Sequence, residues 1–180
     1  SAHQSIGVPQ PIKLAGTEEQ KQKWLPKFSE GWVSAFALTE PNVGSDPANM
    51  ATEAYLDGDE WVLNGEKLWC TNGVVADVIV VMAKSGTKVT SSGKEINEIS
   101  AFIVETDTPG VEVMHRCKFM GIRAVENGLL RFTNCRIPKE NLIGGQGNGL
   151  KLALSTLNDG RLSIPAIAAD NIQYVSEFCQ

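Results

Sequence analysis

Two short stretches of the chain hold the residue types from which a ligand site could be built. The first, Phe36-Ala37-Leu38-Thr39-Glu40-Pro41-Asn42-Val43-Gly44-Ser45-Asp46, starts as an apolar strand and breaks into a loop whose proline, glycine, serine and aspartate suit a tight turn. Main-chain N–H groups exposed there, with the hydroxyls of Thr39 and Ser45, can hydrogen-bond phosphate oxygens or a ring carbonyl. Gly44 lets a ligand come close to the backbone. An ordinary turn closed by local Ser and Asp side-chain bonds satisfies the same residues. In the second stretch, Trp69-Cys70-Thr71-Asn72-Gly73, strand alternation puts an indole and a hydroxyl on one face and Cys70 on the other. That face can stack on a planar ring and bond its edge; a core tryptophan beside a hairpin turn also fits.

A third position is Arg161, eleven residues after Leu150 and so within the apolar stripe of a helical tail. A guanidinium there is costly unless paired or solvated. The glycine-rich run Gly144-Gly145-Gln146-Gly147-Asn148-Gly149 precedes that helix, but it lacks the GxGxxG spacing, a Walker lysine and a βαβ setting, so it reads as a flexible join. Cys70, Cys117, Cys135 and Cys179 are scattered without a CxxC pair, and His3 and His115 stand alone. Free thiols are expected, and neither a metal site nor a histidine-based triad is supported.

The elements that must position these residues can be read from pattern. The 180 residues carry a net charge of −5, with 42% hydrophobic and 21% charged residues, enough for one domain with a real core. That charge offers no global basic field for nucleic acid. With no apolar run long enough to cross a bilayer and no basic-then-apolar leader, the chain reads as a cytosolic-type globular protein. Thr17 and Gln20 form a capping box that starts a helix expected to stop at Pro26. Residues 33–137 read as an antiparallel sheet, with hairpin turns at Asp57-Gly58 and Asn64-Gly65, buried strands at 78–83 and 99–104, an exposed loop at 84–97, and strands at 111–116 and 129–134. A closed barrel or sandwich follows. The tail places Leu150, Leu154, Leu157, Ile164, Ala168 and Val175 on one side of a helix, with Pro165 expected to kink it. That stripe implies a neighbouring subunit or a longer parent protein.

The pair F-A-L-T-E-P-x-x-G-S-D and W-C-T-N-G closely resembles the acyl-CoA dehydrogenase family. So do Met120-Gly121-Ile122-Arg123, Ile137-Pro138-Lys139-Glu140-Asn141 and Asn158-Asp159-Gly160-Arg161. The resemblance runs through nearly the whole chain, in order. It implies a mainly β fold with α: the end of an N-terminal helical domain (1–32), an antiparallel β-barrel middle domain (33–145) and the first helix of a C-terminal helical bundle (146–180). It also implies FAD held by Phe36, Leu38, Thr39, Gly44, Ser45, Trp69, Cys70 and Thr71, with the indole against the isoalloxazine and the Thr71 hydroxyl at flavin N5. Ser45, Asn158 and Arg161 would line an acyl-CoA site. Val43 and Asn49 depart from the small residues usual at those positions, and Cys70 from an aliphatic one.

The implied reaction converts a fatty acyl-CoA to a trans-2-enoyl-CoA, with electron-transfer flavoprotein as acceptor. The parent would be a homo-oligomer, dimer or tetramer, cytoplasmic in a bacterium or in the mitochondrial matrix of a eukaryote. The carboxylate base is expected in a C-terminal domain absent from these residues. Gly160 occupies the alternative position used by some members, and Glu40 shapes the loop, so these residues alone are expected to be inactive. A related acyl-CoA oxidase or flavin monooxygenase, or a non-catalytic β-barrel interaction module, are the other readings.

Overall fold

The computed structural model describes residues 2–91, 93–121 and 123–178. Ile122 and Cys179 lie outside them, and His3, Gly160 and Ile164 are described in backbone only. Helices α1 (Ala2–Gly7), α2 (Pro9–Ala15) and α3 (Glu18–Ser29) lead into strands β1 (Ser34–Ala37), β2 (Glu53–Asp57), β3 (Glu60–Thr71), β4 (Val78–Val89), β5 (Glu95–Glu105), β6 (Val111–Arg116), β7 (Asn127–Pro138) and β8 (Leu142–Ile143). Helix α4 (Gly149–Phe178) follows.

The capping box at α3 is present in both directions: the Gln20 N–H donates to Thr17 Oγ1 at 3.2 Å and the Thr17 N–H to Gln20 Oε1 at 3.0 Å. Pro26 does not stop the helix, which continues to Ser29. Trp24 is buried on its inner face and Lys27 reaches over both the Trp24 and Trp32 rings, so tertiary packing carries the last turn past the proline.

The β region forms one eight-stranded sheet in the order β6-β7-β3-β2-β4-β5-β8, with β1 added on β4. It corrects the expected closed antiparallel barrel on two points. The sheet is mixed, since β1 and the start of β2 both pair β4 in parallel. It is also open, since β6 and β8 are edges and β6 beyond Val111 is exposed. Turn dipeptides report local chain reversal; closure depends on edges far apart in sequence, and here solvent covers one of them.

β4 is buried on both faces, which explains its unbroken apolar run. Ile79, Val81 and Ala83 join Phe102, Leu63 and Phe132 in one core. Val78, Val80 and Met82 pack with Ile12, Trp24 and Leu152 in the other. The stretch 84–97 is not a loop. β4 and β5 stay paired to Val89↔Glu95, because main-chain bonds continue the ladder where side chains turn polar. Asp57-Gly58 does turn the chain, with Gly58 at φ +64°. Asn64-Gly65 instead lies inside β3 as a register shift; Gly65 takes φ +146°, and a Cβ there would meet Thr52 at 2.5–2.7 Å.

α4 runs on through Pro165 as one element. Its buried face is Leu152, Ala153 and Thr156, packed toward β5, α1 and α2. The expected stripe is displaced from it: Leu150 and Leu157 are half-buried, while Leu154, Ala168 and Val175 are exposed. The glycine run is the join to this helix, pinned by Gly147 N–H to Ser100 Oγ at 2.9 Å and Gln146 Nε2 to Ser85 O at 2.9 Å. No described helix is long and apolar enough to cross a membrane.

Candidate functional site

The loop after β1 and the end of β3 lie side by side. The Leu68 N–H donates to Thr39 O at 2.8 Å, and the Cys70 thiol points to Phe36 O at 3.6 Å. Between these contacts Lys67 crosses beneath the loop, its Nζ donating to Leu38 O at 3.1 Å and to Glu40 Oε1 at 2.7 Å. Both side chains of this ion pair are almost wholly buried. Glu40 also accepts the Ala51 N–H at 2.7 Å and the Thr52 N–H at 3.0 Å, so both its oxygens are engaged. Burial drives the Lys67 ammonium down to about 8 against the opposing pull of Glu40. Burial also works against the Glu40 carboxylate, but the bonds from Lys67, Thr52 and Ala51 prevail and hold its pKa below the ordinary carboxylate value.

The pair thus clamps the loop at Leu38, Glu40, Ala51 and Thr52 while leaving its tip outward. Glu40 and Val43 close the tight turn through reciprocal main-chain bonds of 2.9 and 3.2 Å. Beyond it Gly44 and Ser45 are exposed, and open space surrounds the position where Gly44 would carry a Cβ. Their N–H groups point to no protein acceptor among the described residues. They offer a small nest of free donors suited to an anion.

Simple alternation does not place Trp69. β3 gains one residue against β7 between Lys67 and Cys70, and Trp69 takes φ +57° in that bulge. A non-glycine residue in the left-handed region costs about 1–2 kcal/mol. The effect is to turn the indole out, 53% exposed, while Cys70 enters the core and burial pushes its thiol up to about 12. With Cys70 inward, Trp69 and Thr71 fall on the same outer side, as the spacing suggested. Cys70 can present only main chain to a ligand, and Phe36 and Leu38, both half-buried, form the wall behind the loop.

The structure therefore joins Phe36, Leu38, Thr39, Trp69, Cys70 and Thr71, with Gly44 and Ser45 at the loop tip. It does not bring Asn158 and Arg161 to them. Those two lie on exposed turns of α4, bonded to each other at 3.1 Å. Arg161 is solvated rather than buried in an apolar stripe, which removes the cost expected of it.

Sequence reasoning missed three contributors. Lys67 shares strand parity with Leu63 in an otherwise apolar stretch, a signal that a charge there needs a partner, yet that partner lies 27 residues away. Asn127 accepts the Thr71 hydroxyl at 3.2 Å. Phe119 sits 5.5 Å from the Trp69 ring, beside a cleft of about 420 Å³ lined by Arg116, Cys117, Lys118, Phe119, Arg123 and Val125, whose cations suit an anionic group. Among the described residues there is no cluster of His, Cys, Asp and Glu that could hold a metal, and Cys70, Cys117 and Cys135 are free thiols.

A mixed sheet carrying an outward indole beside a nest of free amides defines a protein that receives a flat, phosphate-bearing ligand. The chain belongs to the acyl-CoA dehydrogenase family, matching its middle domain over residues 35–135 and its N-terminal domain over residues 1–32. It is 59% identical over 170 residues to the probable acyl-CoA dehydrogenase FadE10 of Mycobacterium tuberculosis, covering 93% of this chain and 26% of that protein. It is 41% identical over 175 residues to the human very long-chain specific mitochondrial enzyme, covering 96% and 27% respectively. Among solved structures, an acyl-CoA dehydrogenase from Bacillus anthracis complexed with FAD superposes with a TM-score of 0.79 at 44% identity, over 89% of this chain and 27% of that one. The chain thus spans about a quarter of the length of these relatives.

Proposed function

We propose that this chain is the flavin-bearing part of an FAD-dependent acyl-CoA dehydrogenase that converts a fatty acyl-CoA to a trans-2-enoyl-CoA, with residues 1–32 ending an N-terminal helical domain, 33–145 forming the middle domain and 146–180 starting a C-terminal one. The observation that carries this reading is the outward Trp69 at its bulge, with the Thr39 carbonyl bonded to the adjacent Leu68 N–H. The Bacillus anthracis relative complexed with FAD supports it.

In this reading Trp69 provides the stacking surface, and Thr39 and Thr71 stand at the ring edge. The free N–H groups of Gly44 and Ser45 hold the pyrophosphate. Phe36, Leu38 and the Cys70 main chain form the wall. FAD, when bound, supplies a two-electron acceptor for the hydride leaving the β-carbon. Hydroxyls and amides placed beforehand at the ring edge need no reorganisation as charge develops there. Ser45, Asn158 and Arg161 are assigned to the acyl-CoA; their separation here means that further surfaces complete that half.

Proton removal from the α-carbon needs a carboxylate within hydrogen-bond reach. Glu40 is unsuited, since Lys67, Ala51 and Thr52 hold both its oxygens. We therefore place the base outside these residues. Electron-transfer flavoprotein is the proposed acceptor and a homo-oligomer the proposed assembly. The proposed compartment follows the relatives, mitochondrial for the human one and cytoplasmic for a bacterial one.

The test is FAD titration of the apo form of the full-length protein, followed by flavin absorbance and tryptophan quenching. Stoichiometric uptake is expected, weakened tenfold or more in W69A, since an aromatic stacking surface is worth about 1–3 kcal/mol. Failure to take up FAD overturns the reading and leaves an interaction module. Reoxidation faster with oxygen than with electron-transfer flavoprotein would convert it to an oxidase or monooxygenase.

A further inference from the structure

We propose that Asn127 is a positioning residue that fixes the direction of the Thr71 hydroxyl, making it a hydrogen-bond acceptor toward whatever lies on Trp69 and thereby setting the balance between oxidised and reduced flavin. The inference rests on the flavin reading above. Asn127 opens β7 directly opposite Thr71, the last residue of β3. Its side chain is buried, and its Oδ1 takes the Thr71 hydroxyl proton at 3.2 Å. Its main-chain oxygen accepts the Cys117 N–H at 2.8 Å, tying it to the segment that carries Phe119 onto Trp69. Asn127 is therefore held between both walls of the indole face.

A threonine hydroxyl has one proton and two lone pairs. With the proton committed to Asn127, only the lone pairs are offered outward. Oxidised flavin presents an acceptor at N5, whereas two-electron reduction puts an N–H there. An outward acceptor therefore favours the reduced ring, and an outward donor would favour the oxidised one. The two directions predict opposite signs when the hydroxyl is removed.

The experiment measures the two-electron midpoint potential of the full-length FAD-loaded protein by equilibration with a reference dye. In T71V the potential is expected to fall, because the acceptor for the reduced form is lost; a rise or no change overturns the proposal. The isosteric pair N127T and N127V isolates the role of Asn127. N127T, which still accepts the Thr71 proton, should keep the parent potential. N127V frees the hydroxyl and should lower the ratio of affinities for reduced and oxidised FAD about tenfold, or about 30 mV for a two-electron couple. In a T71V background N127V should add nothing, and a full-sized further shift would show that Asn127 acts only through the fold. Equal potentials for N127T and N127V also overturn the proposal. A protein that takes up no FAD overturns the flavin reading along with it, whereas normal uptake with unmoved potentials overturns this inference alone.

Discussion

The loop 39–46 and the α4 pair Asn158–Arg161 are two parts of one proposed site held in opposite ways. The loop is tied from beneath by an ion pair with almost no exposure, by two main-chain amides into Glu40 and by the Leu68 N–H into Thr39. Asn158 and Arg161 face solvent and bond only each other. The flavin half is thus organised by residues within the chain, whereas the acyl half depends on surfaces still to be brought to α4. Burial decides the difference. An ion pair out of water must be geometrically complete, and once complete it leaves its neighbours little freedom.

Removing one partner of the clamp should give the largest effect. K67M strands a buried carboxylate and should cost about 3–5 kcal/mol in urea unfolding. K67M/E40L, which buries no charge, should recover most of that loss; failure to recover it would assign the cost to packing. The pH dependence sharpens the point. Lys67 holds its proton in the folded protein only up to about 8, against an ordinary 10.5, so between those values the unfolded chain binds more protons. Unfolding should therefore become harder as pH rises across that window, and K67M should lose that slope. Glu40, depressed below 4.5, contributes stability above that value that is lost as pH falls through its lower folded pKa.

G65V should rank second, at about 1–3 kcal/mol by the same measurement, because it combines a left-handed backbone with overlap on Thr52. G44V meets no atoms and needs no unusual φ, so stability should stay within about 0.5 kcal/mol while FAD affinity falls tenfold or more. R161A should be smallest for stability, a few tenths of a kcal/mol, since the guanidinium is solvated; its effect should appear as a raised KM for acyl-CoA in the full-length enzyme.

Much of this was legible in the sequence where the signal is local. Thr17 and Gln20 start α3, 78–83 marks a strand buried on both faces, and Asp57-Gly58 turns the chain. Asn64-Gly65 misled because the dipeptide reports tolerance of positive φ, which a bulge uses as readily as a hairpin. The stretch 84–97 misled because strand pairing there rests on main-chain bonds that composition does not reveal. The clamp was illegible because Lys67 and Glu40 meet only through the parallel placement of β1 beside β4. Trp69 was assigned to the correct side for an incomplete reason, since a bulge turns it outward.

The most direct test of the account is the crystal structure of the full-length protein grown with FAD. The account predicts the isoalloxazine lying on the Trp69 indole, with Thr39 and Thr71 at its edge and the pyrophosphate on the Gly44 and Ser45 amides. Flavin bound on another face of the sheet, with Trp69 still open to solvent, would contradict it.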